Sequence, residues 1–193
     1  MRVFWIITLL CIFTSAAWTQ VQPEGLFLGA KAPDFTGTDQ FGREVNMRQL
    51  AKTSSLLVVF YRGYWSPSCT RLLTRLQDSL SFFTDRQITV VAISPESDSC
   101  RTLTQVKTKA GFSLVRDSAH LIAKSYGVLQ ELAESQLARY RSGGIDLVKL
   151  HAPNGPQLPV ASVFLIGKDY TITYRFFDPD QKLRVSVKEL LQQ

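Results

Sequence analysis

Ser66-Pro67-Ser68-Cys69 is the stretch of this sequence whose residue types are best suited to covalent chemistry. It has the spacing of a C-x-x-C dithiol motif in which serine replaces the first cysteine. A hydroxyl cannot attack a disulfide as a thiolate does, so ordinary dithiol exchange at this motif is excluded. Peroxide reduction needs only one sulfur for its first step, in which a thiolate attacks the O–O bond, becomes sulfenic acid and releases water or alcohol. The motif therefore favours one-thiol chemistry at Cys69.

The local sequence places Cys69 in the first turn of a helix. Ser66 is a favourable N-cap residue, proline is favoured at the next position, and Cys69 follows two residues later. Unbonded N–H groups and the positive end of the helix dipole favour a thiolate at that point, and Arg62 and Arg71 add positive charge nearby in sequence. The Ser66 hydroxyl is available to cap the helix or to hydrogen-bond a ligand at the thiolate. The alternative is that Cys69 is a small buried hydrophobic residue, as free cysteines often are.

Cys100 is the candidate for a second thiol that condenses with the sulfenic acid. Cys69 follows the apolar run Ser55–Tyr61, and Cys100 follows the apolar run Ile88–Ile93; both runs are typical of strands buried on two faces. Because the carboxyl ends of neighbouring parallel strands face the same crevice, we expect both thiols at one edge of the sheet. A Cys100 without a partner, in the core or on the surface, stays open.

The order of apolar runs and helical patterns predicts a three-layer α/β domain with a mixed central sheet flanked by helices. Helical spacing predicts one helix from Leu72 to Phe83 and another from the cap at Ser97 to Ala110. The other predicted elements are a helical segment from Asp117 to Tyr126, a helix from Leu129 to Arg141, an antiparallel strand pair at Val160–Ile166 and Thr171–Phe176, and a closing helix at Val185–Leu191. Residues 142–157 are predicted to form a loop.

The first 17 residues have the pattern of a secretory signal peptide. Arg2 is followed by an apolar run from Val3 to Phe13, which is short for a membrane span, and then by small residues at Ser15-Ala16-Ala17. A buried or anchoring helix is the alternative. We predict a signal peptide at 1–17, a flexible leader at 18–25 and one domain at 26–193. The mature protein would be exported to the periplasm or the extracellular medium, without stable membrane insertion, and Cys11 would be lost.

Composition argues against two other kinds of function. The 193 residues carry a formal charge of +6, but the basic residues are scattered and form no stripe or known motif, so nucleic-acid binding is not expected. His120 and His151 lack the spacing of metal ligands and are predicted to lie on the surface or in loops. No metal site is expected.

Five stretches of the sequence are distinctive when taken together: GAKAPDF, VVFYRGYWSPSC, VVAISPES, LPVASVFLIG and ITYRFFDPD, which begin at residues 29, 58, 90, 158 and 172. In this order they resemble the AhpC/TSA peroxiredoxin-like family of the thioredoxin fold, and in particular its bacterioferritin-comigratory-type members. The resemblance covers roughly residues 26–192 and implies a thioredoxin-like fold for the domain.

The resemblance also implies an activity, partners and residue roles. Such proteins reduce hydrogen peroxide or organic hydroperoxides without a metal or organic cofactor, depend on a thioredoxin-like protein reductant and can form homodimers. In the family register, Cys69 falls on the peroxidatic cysteine and Ser66 on the threonine that orients the peroxide. Arg62 stands where the family has a proline, and Ala161 stands at the family's peroxide-binding arginine. Arg62 is therefore expected to supply the missing positive charge, and Cys100 to act as the resolving cysteine.

Two other functions remain compatible with the same residues. The protein could be a catalytically silent thioredoxin-fold binding module whose Cys69 is vestigial. It could also be a non-standard thiol–disulfide oxidoreductase that uses Cys69 and Cys100 as its redox pair. A reaction of Cys69 with peroxide, or turnover of disulfides without peroxide, distinguishes these functions.

Overall fold

Between residues 55 and 108 the chain follows the predicted order of strand, helical region, strand and helix. The computed structural model describes residues 22–179 and 185–190. The strands are β1 (Thr36–Thr38), β2 (Glu44–Asn46), β3 (Ser55–Phe60), β4 (Ile88–Ser94), β5 (Ser113–Arg116), β6 (Leu129–Gln130), β7 (Leu158–Pro159), β8 (Ser162–Ile166) and β9 (Ile172–Phe177). The helices are α1 (Met47–Ala51), α2 (Pro67–Asp78), α3 (Leu80–Asp85), α4 (Asp98–Thr108), α5 (Leu121–Ser125), α6 (Glu134–Ser142), α7 (Leu147–His151) and α8 (Val187–Leu190), with a 3₁₀ helix at Ser118–His120.

The central sheet has five strands in the order β5-β4-β3-β8-β9. Strands β3, β4 and β5 are parallel, whereas β8 is antiparallel to β3 and β9 is antiparallel to β8. β3 is central and almost entirely buried, as its continuous apolar sequence requires. The predicted mixed sheet, both predicted buried strands and the predicted antiparallel pair are confirmed.

Side chains of β3 alternate between two hydrophobic cores, one on each face of the sheet. Leu56 and Phe60 belong to a core that includes residues of α1 and α5. Leu57 and Val59 belong to the other core, which includes the apolar stripe of α2 together with Phe83 of α3. The three-layer α/β arrangement predicted from the sequence is therefore confirmed.

The segment between β5 and β8 differs most from the prediction. The predicted helix from Leu129 to Arg141 is wrong at its start, because Leu129–Gln130 form β6, which pairs with β7, and helix α6 begins only at Glu134. The predicted loop at 142–157 contains α7, whose N-cap Asp146 accepts a hydrogen bond from the Lys149 N–H at 3.3 Å. Both differences involve elements of two to five residues, too short to show a periodicity.

Two smaller differences concern the elements around the sheet. The predicted helix from Leu72 to Phe83 is divided into α2 and α3 at Ser79, whose backbone leaves the helical region at φ −108° and ψ 12°. Strand β5, with four residues, was not predicted. It is recognised in the structure by its parallel pairing with β4.

The predicted signal peptide at 1–17 lies outside the described residues, and so do residues 18–21 of the predicted leader. At the end of that leader, the Gly25 N–H donates to the Gly127 carbonyl at 3.0 Å. Within residues 22–179 and 185–190, no helix combines the length and the apolar character that crossing a membrane requires.

Candidate active site

Cys69 lies in the first turn of α2, as the sequence predicts. Ser66 occupies the N-cap position with an extended backbone, Pro67 begins the helix, and the Thr70 N–H donates to the Ser66 carbonyl at 3.0 Å. The Ser66 side chain makes no capping hydrogen bond; its hydroxyl instead lies 3.2 Å from the Ser68 hydroxyl. The Ser66 hydroxyl is therefore not used by the backbone of the helix that it precedes.

The Cys69 side chain is free and almost fully buried. Cys69 is 1% exposed, and its side chain belongs to the hydrophobic core that lies under α2, together with Leu73 and Val163. Burial of this kind is what an inert cysteine would show, but it is also what protects a reactive thiol from bulky reagents. Position and surroundings, rather than burial alone, must decide between the two.

Arg62 and Ala161 lie at the same edge of the sheet. Arg62 follows β3 directly and is buried, with 7% of its surface exposed. The antiparallel register pairs Phe60 with Ser162, so Ala161 lies just beyond the last pair, at the end of β3 from which Arg62 continues. Ala161 itself is fully buried and its carbonyl accepts a hydrogen bond from the Asp178 N–H at 3.2 Å. Arg62, the buried cationic residue nearest in sequence to Cys69, thus lies at the same edge of the sheet as Ala161.

Cys100 lies in the first turn of α4, which follows β4. β3 and β4 are adjacent parallel strands, and helices α2 and α4 contact each other. Cys100 is free and 7% exposed. The two cysteines therefore occupy equivalent places after neighbouring strands, at one edge of the sheet, as predicted; the disulfide between them stays a prediction.

The two helix starts share a local sequence and a local geometry. Each has the pattern S-x-S-C, with Ser97 preceding Cys100 as Ser66 precedes Cys69. In both, the hydroxyls of the two serines lie 3.2 Å apart. They differ in capping, because the Ser97 hydroxyl accepts a hydrogen bond from the Cys100 N–H at 3.4 Å whereas the Ser66 hydroxyl caps nothing.

Glu96 is a residue of this region that the sequence did not reveal as functional. It is completely buried, and its carboxylate accepts hydrogen bonds from the Tyr64 N–H at 2.8 Å and the Thr104 hydroxyl at 2.7 Å. Burial raises the pKa of Glu96, although these hydrogen bonds stabilise its ionised form. The Tyr61 hydroxyl is buried beside it, and burial together with the Glu96 carboxylate raises the pKa of Tyr61 well above its ordinary value. A carboxylic residue directly after an apolar strand was the only signal in the sequence.

The prediction that His120 and His151 lie on the surface or in loops is wrong in its main point. His120 is 4% exposed and His151 is completely buried, the latter at the end of α7 and beside the backbone of Arg62. Burial, reinforced by the nearby His120, lowers the pKa of His151 to about 4. Leu147 and His151 are the buried residues of α7, and this helix is joined to the start of α4 by a hydrogen bond from the Ser97 N–H to the Leu150 carbonyl at 3.0 Å.

An aromatic contact brings a second inserted helix to the loop before Cys69. The rings of Trp65 and Tyr140 of α6 meet edge to face, with centroids 5.4 Å apart. The inserted segment between β5 and β8 therefore packs against the loop that carries the motif. In residues 22–179 and 185–190, His, Cys, Asp and Glu form no group of three or more that could hold a metal ion.

Known relatives of similar sequence are peroxiredoxins. The chain is 32% identical to the chloroplastic peroxiredoxin Q of Sedum lineare over 104 aligned residues. The aligned segment covers 54% of this chain and 55% of the relative. It is 32% identical over 77 residues to the putative peroxiredoxin bcp of Buchnera aphidicola subsp. Schizaphis graminum, covering 39% of this chain and 48% of the relative. The matches thus span about half the length of these curated relatives.

Solved structures of similar fold are also peroxiredoxins. Peroxidoxin BcpB of Mycobacterium tuberculosis superposes with a TM-score of 0.64 at 17% identity, covering 86% of this chain and 94% of that chain. A cysteine-to-serine mutant of Xylella fastidiosa PrxQ superposes with a TM-score of 0.67 at 17% identity and the same coverage of both chains. The predicted thioredoxin-like fold is confirmed by these likenesses, which at this identity concern the fold alone. The model of the AhpC/TSA family matches residues 28–175, and the chain belongs to that family.

Proposed function

We propose that this protein is an exported thiol-dependent peroxidase that reduces hydrogen peroxide or organic hydroperoxides through Cys69. The observation that carries the proposal is the free Cys69 thiol in the first turn of α2, preceded by a Ser66 hydroxyl that caps nothing and by the buried Arg62. Membership of the AhpC/TSA family and the peroxiredoxin relatives support it. Because Cys69 is only 1% exposed, we expect hydrogen peroxide and small hydroperoxides to react faster than bulky ones.

In the first step, the Cys69 thiolate attacks one peroxide oxygen. An S–O bond forms, the O–O bond breaks, and the departing oxygen takes up a proton and leaves as water or alcohol. Sulfur supplies two electrons and becomes sulfenic acid. The N–H groups and the dipole at the start of α2 would stabilise the negative charge on sulfur in this step.

Ser66 and Arg62 would assist that step in different ways. The Ser66 hydroxyl would hydrogen-bond the bound peroxide, a role open to it because it does not cap α2. Arg62 would favour the thiolate and the charge that develops on the departing oxygen. Support for this role comes from its burial and from the position of Ala161, which leaves the sheet edge without the arginine used elsewhere in the family.

In the second step, Cys100 would resolve the sulfenic acid. Its thiolate attacks the Cys69 sulfur, an S–S bond forms, the S–O bond breaks, and the hydroxyl leaves as water after taking up a proton. A thioredoxin-like protein would then reduce the disulfide and restore both thiols. The placement of both cysteines in the first turns of contacting helices supports the pairing.

The test is to treat the reduced protein with substoichiometric hydrogen peroxide and to map the products by mass spectrometry. We expect a Cys69–Cys100 disulfide in the wild type, a trapped sulfenic acid at Cys69 in Cys100→Ser, and no peroxide consumption in Cys69→Ser. If Cys69 stays a free thiol under these conditions, the proposal is refuted and the catalytically silent binding module is favoured. For Arg62→Lys, which keeps the charge but not the planar fork, we expect slower oxidation of Cys69, and slower still for Arg62→Ala.

The same two free cysteines favour a second candidate, a thiol–disulfide oxidoreductase that uses Cys69 and Cys100 as its pair. It predicts that the oxidised protein transfers its disulfide to a reduced substrate and that the reduced protein cleaves disulfides without peroxide. Turnover of an insoluble or fluorescent disulfide substrate measures this. Export has a separate test: N-terminal sequencing of the protein recovered from a secreting host should show cleavage after Ala17.

A further inference from the structure

Glu96 is a buried carboxylate between the two segments that carry the cysteines. Its residue is completely buried, and such a charge is tolerated only when its oxygens are hydrogen-bonded. One oxygen accepts from the Tyr64 N–H at 2.8 Å, and the other accepts from the Thr104 hydroxyl at 2.7 Å and lies 3.4 Å from the Ser94 hydroxyl. An apolar residue at position 96 would leave both donors without an acceptor. Formation of the fold alone does not require a buried carboxyl group with these two donors.

The two main donors lie on either side of the proposed reaction. Tyr64 belongs to the loop between β3 and α2, the loop that includes Arg62 and leads to Cys69. Thr104 lies on α4, one turn after Cys100. We call these two hydrogen bonds the Glu96 link. It joins the loop before one cysteine to the helix of the other.

A second contact holds the same loop residue. The Lys107 ammonium of α4 donates to the Tyr64 carbonyl at 3.2 Å and lies 5.8 Å from the centre of the Tyr64 ring. Gly63 fits the narrow space beside the link, because a Cβ there would lie 2.6 Å from the Trp65 Nε1 and 3.0 Å from the Glu96 Oε1. The N–H and the carbonyl of Tyr64 are thus both fixed by the unit formed by β4 and α4.

We infer that Glu96 is a positioning residue for the two-step reaction, and that the Glu96 link sets how readily the sulfenic acid of Cys69 reaches Cys100. Both thiols are free and buried here, and a disulfide requires their Cβ atoms to lie about 4 Å apart, so any movement of one first turn towards the other shifts the loop before α2 relative to α4. The Glu96 link opposes movement of the loop before α2 relative to α4. The inference rests on the proposed peroxidase function and adds to it the residue that governs its second step.

Two substitutions weaken the link without changing the shape of the site. Thr104→Val removes the hydroxyl donor, and Glu96→Gln replaces charged hydrogen bonds by neutral ones. A hydrogen bond to a charged group contributes about 1.5–3 kcal/mol, which corresponds to roughly 10-fold or more in the population of the opened loop. We expect each variant to raise the ratio of the disulfide-forming rate to the sulfenic-acid-forming rate by about 10-fold.

Thr108→Val is the matched control. Thr108 is buried on the same helix, but its hydroxyl donates to the Thr104 carbonyl within α4 and does not contact Glu96. It should destabilise the protein to a similar degree while leaving the ratio of the two rates unchanged. A second measurement is hydrogen exchange of the Tyr64 amide, which should be faster in Glu96→Gln than in the wild type and unchanged in Thr108→Val.

The experiment mixes reduced full-length protein with hydrogen peroxide, quenches at timed intervals with a sulfenic-acid trap and an alkylating reagent, and quantifies both products by mass spectrometry. A raised ratio in Thr104→Val and Glu96→Gln but not in Thr108→Val supports the inference. A ratio unchanged in all three, or raised equally in Thr108→Val, overturns it while leaving the peroxidase function intact. A Cys69 that forms sulfenic acid but never a disulfide with Cys100 also overturns it. A Cys69 that does not react with peroxide refutes the proposed function instead.

Discussion

The buried imidazole of His151 should make the stability of this protein depend on pH in mildly acidic solution. The side chain is completely buried, and burial with the nearby His120 lowers its pKa from 6.5 to about 4. In the unfolded chain the imidazole takes up a proton near its ordinary pKa, whereas in the folded protein it stays neutral until about pH 4. Between these values the unfolded state binds more protons, so the free energy of unfolding falls as the pH falls.

The size of the effect follows from the same two values. They differ by about 2.5, and at about 1.4 kcal/mol for each pH unit the loss between pH 7 and pH 4 is about 3 kcal/mol. A domain of ordinary stability has about 5–15 kcal/mol to lose, so the effect is large enough to measure by urea unfolding. Glu96 and Asp117 act in the opposite direction, because burial raises their pKa values and the folded state then binds protons first as the pH falls.

The comparison of wild type with His151→Leu separates the histidine from these carboxyl groups. Leucine has a similar volume and no titrating group. The difference in unfolding free energy between the two proteins should shift by about 3 kcal/mol in favour of the variant from pH 7 to pH 4, and should stay constant above pH 7. Parallel curves for the two proteins across this range would refute the reasoning.

Four further substitutions test the packing and the helix starts. Leu73→Ala removes a fully buried side chain of α2 and should lower the free energy of unfolding, measured by urea unfolding, by about 2–5 kcal/mol. A loss below about 1 kcal/mol would contradict the assigned core. Gly63→Ala should lower the urea midpoint and slow Cys69 oxidation, because φ is +146° and a Cβ would lie 2.6 Å from the Trp65 Nε1. Ser97→Ala should cost about 1 kcal/mol and Ser66→Ala clearly less, since only Ser97 makes a capping hydrogen bond; equal losses would contradict this.

The sheet was predictable because its central strands have continuously apolar sequences, which are typical of strands buried on both faces. The apolar runs at β3 and β4 carry that information within six or seven residues. Strands β6 and β7 have two residues each and exist because they pair with each other across the inserted segment. No local pattern could have shown that pairing, so the start of the predicted helix at Leu129 extended into it.

The same division between local and distant information applies to the candidate active site. The helix start at Cys69 was predictable because serine, proline and the following residues specify it locally. The surroundings of Glu96 and His151 depend on burial by α4 and α7, which the chain reaches only after it folds back over the sheet edge. A buried carboxyl group and a buried imidazole are exceptions to the rule that polar residues lie outside, and sequence patterns predict the rule rather than its exceptions.

The two S-x-S-C helix starts differ in a way that assigns them different parts in the proposed reaction. At α4, the Ser97 hydroxyl accepts from the Cys100 N–H, and the Ser97 N–H donates to the Leu150 carbonyl at 3.0 Å. At α2, the Ser66 hydroxyl makes no capping bond. An uncapped first turn costs less to unwind than a capped one, so in the proposed second step the turn of Cys69 would be the one to move. The Ser66 hydroxyl, which lies 3.2 Å from the Ser68 hydroxyl, is thus available to a peroxide in the proposed reaction, and the loop before α2 is restrained by Glu96 and Lys107 through Tyr64 rather than by a cap.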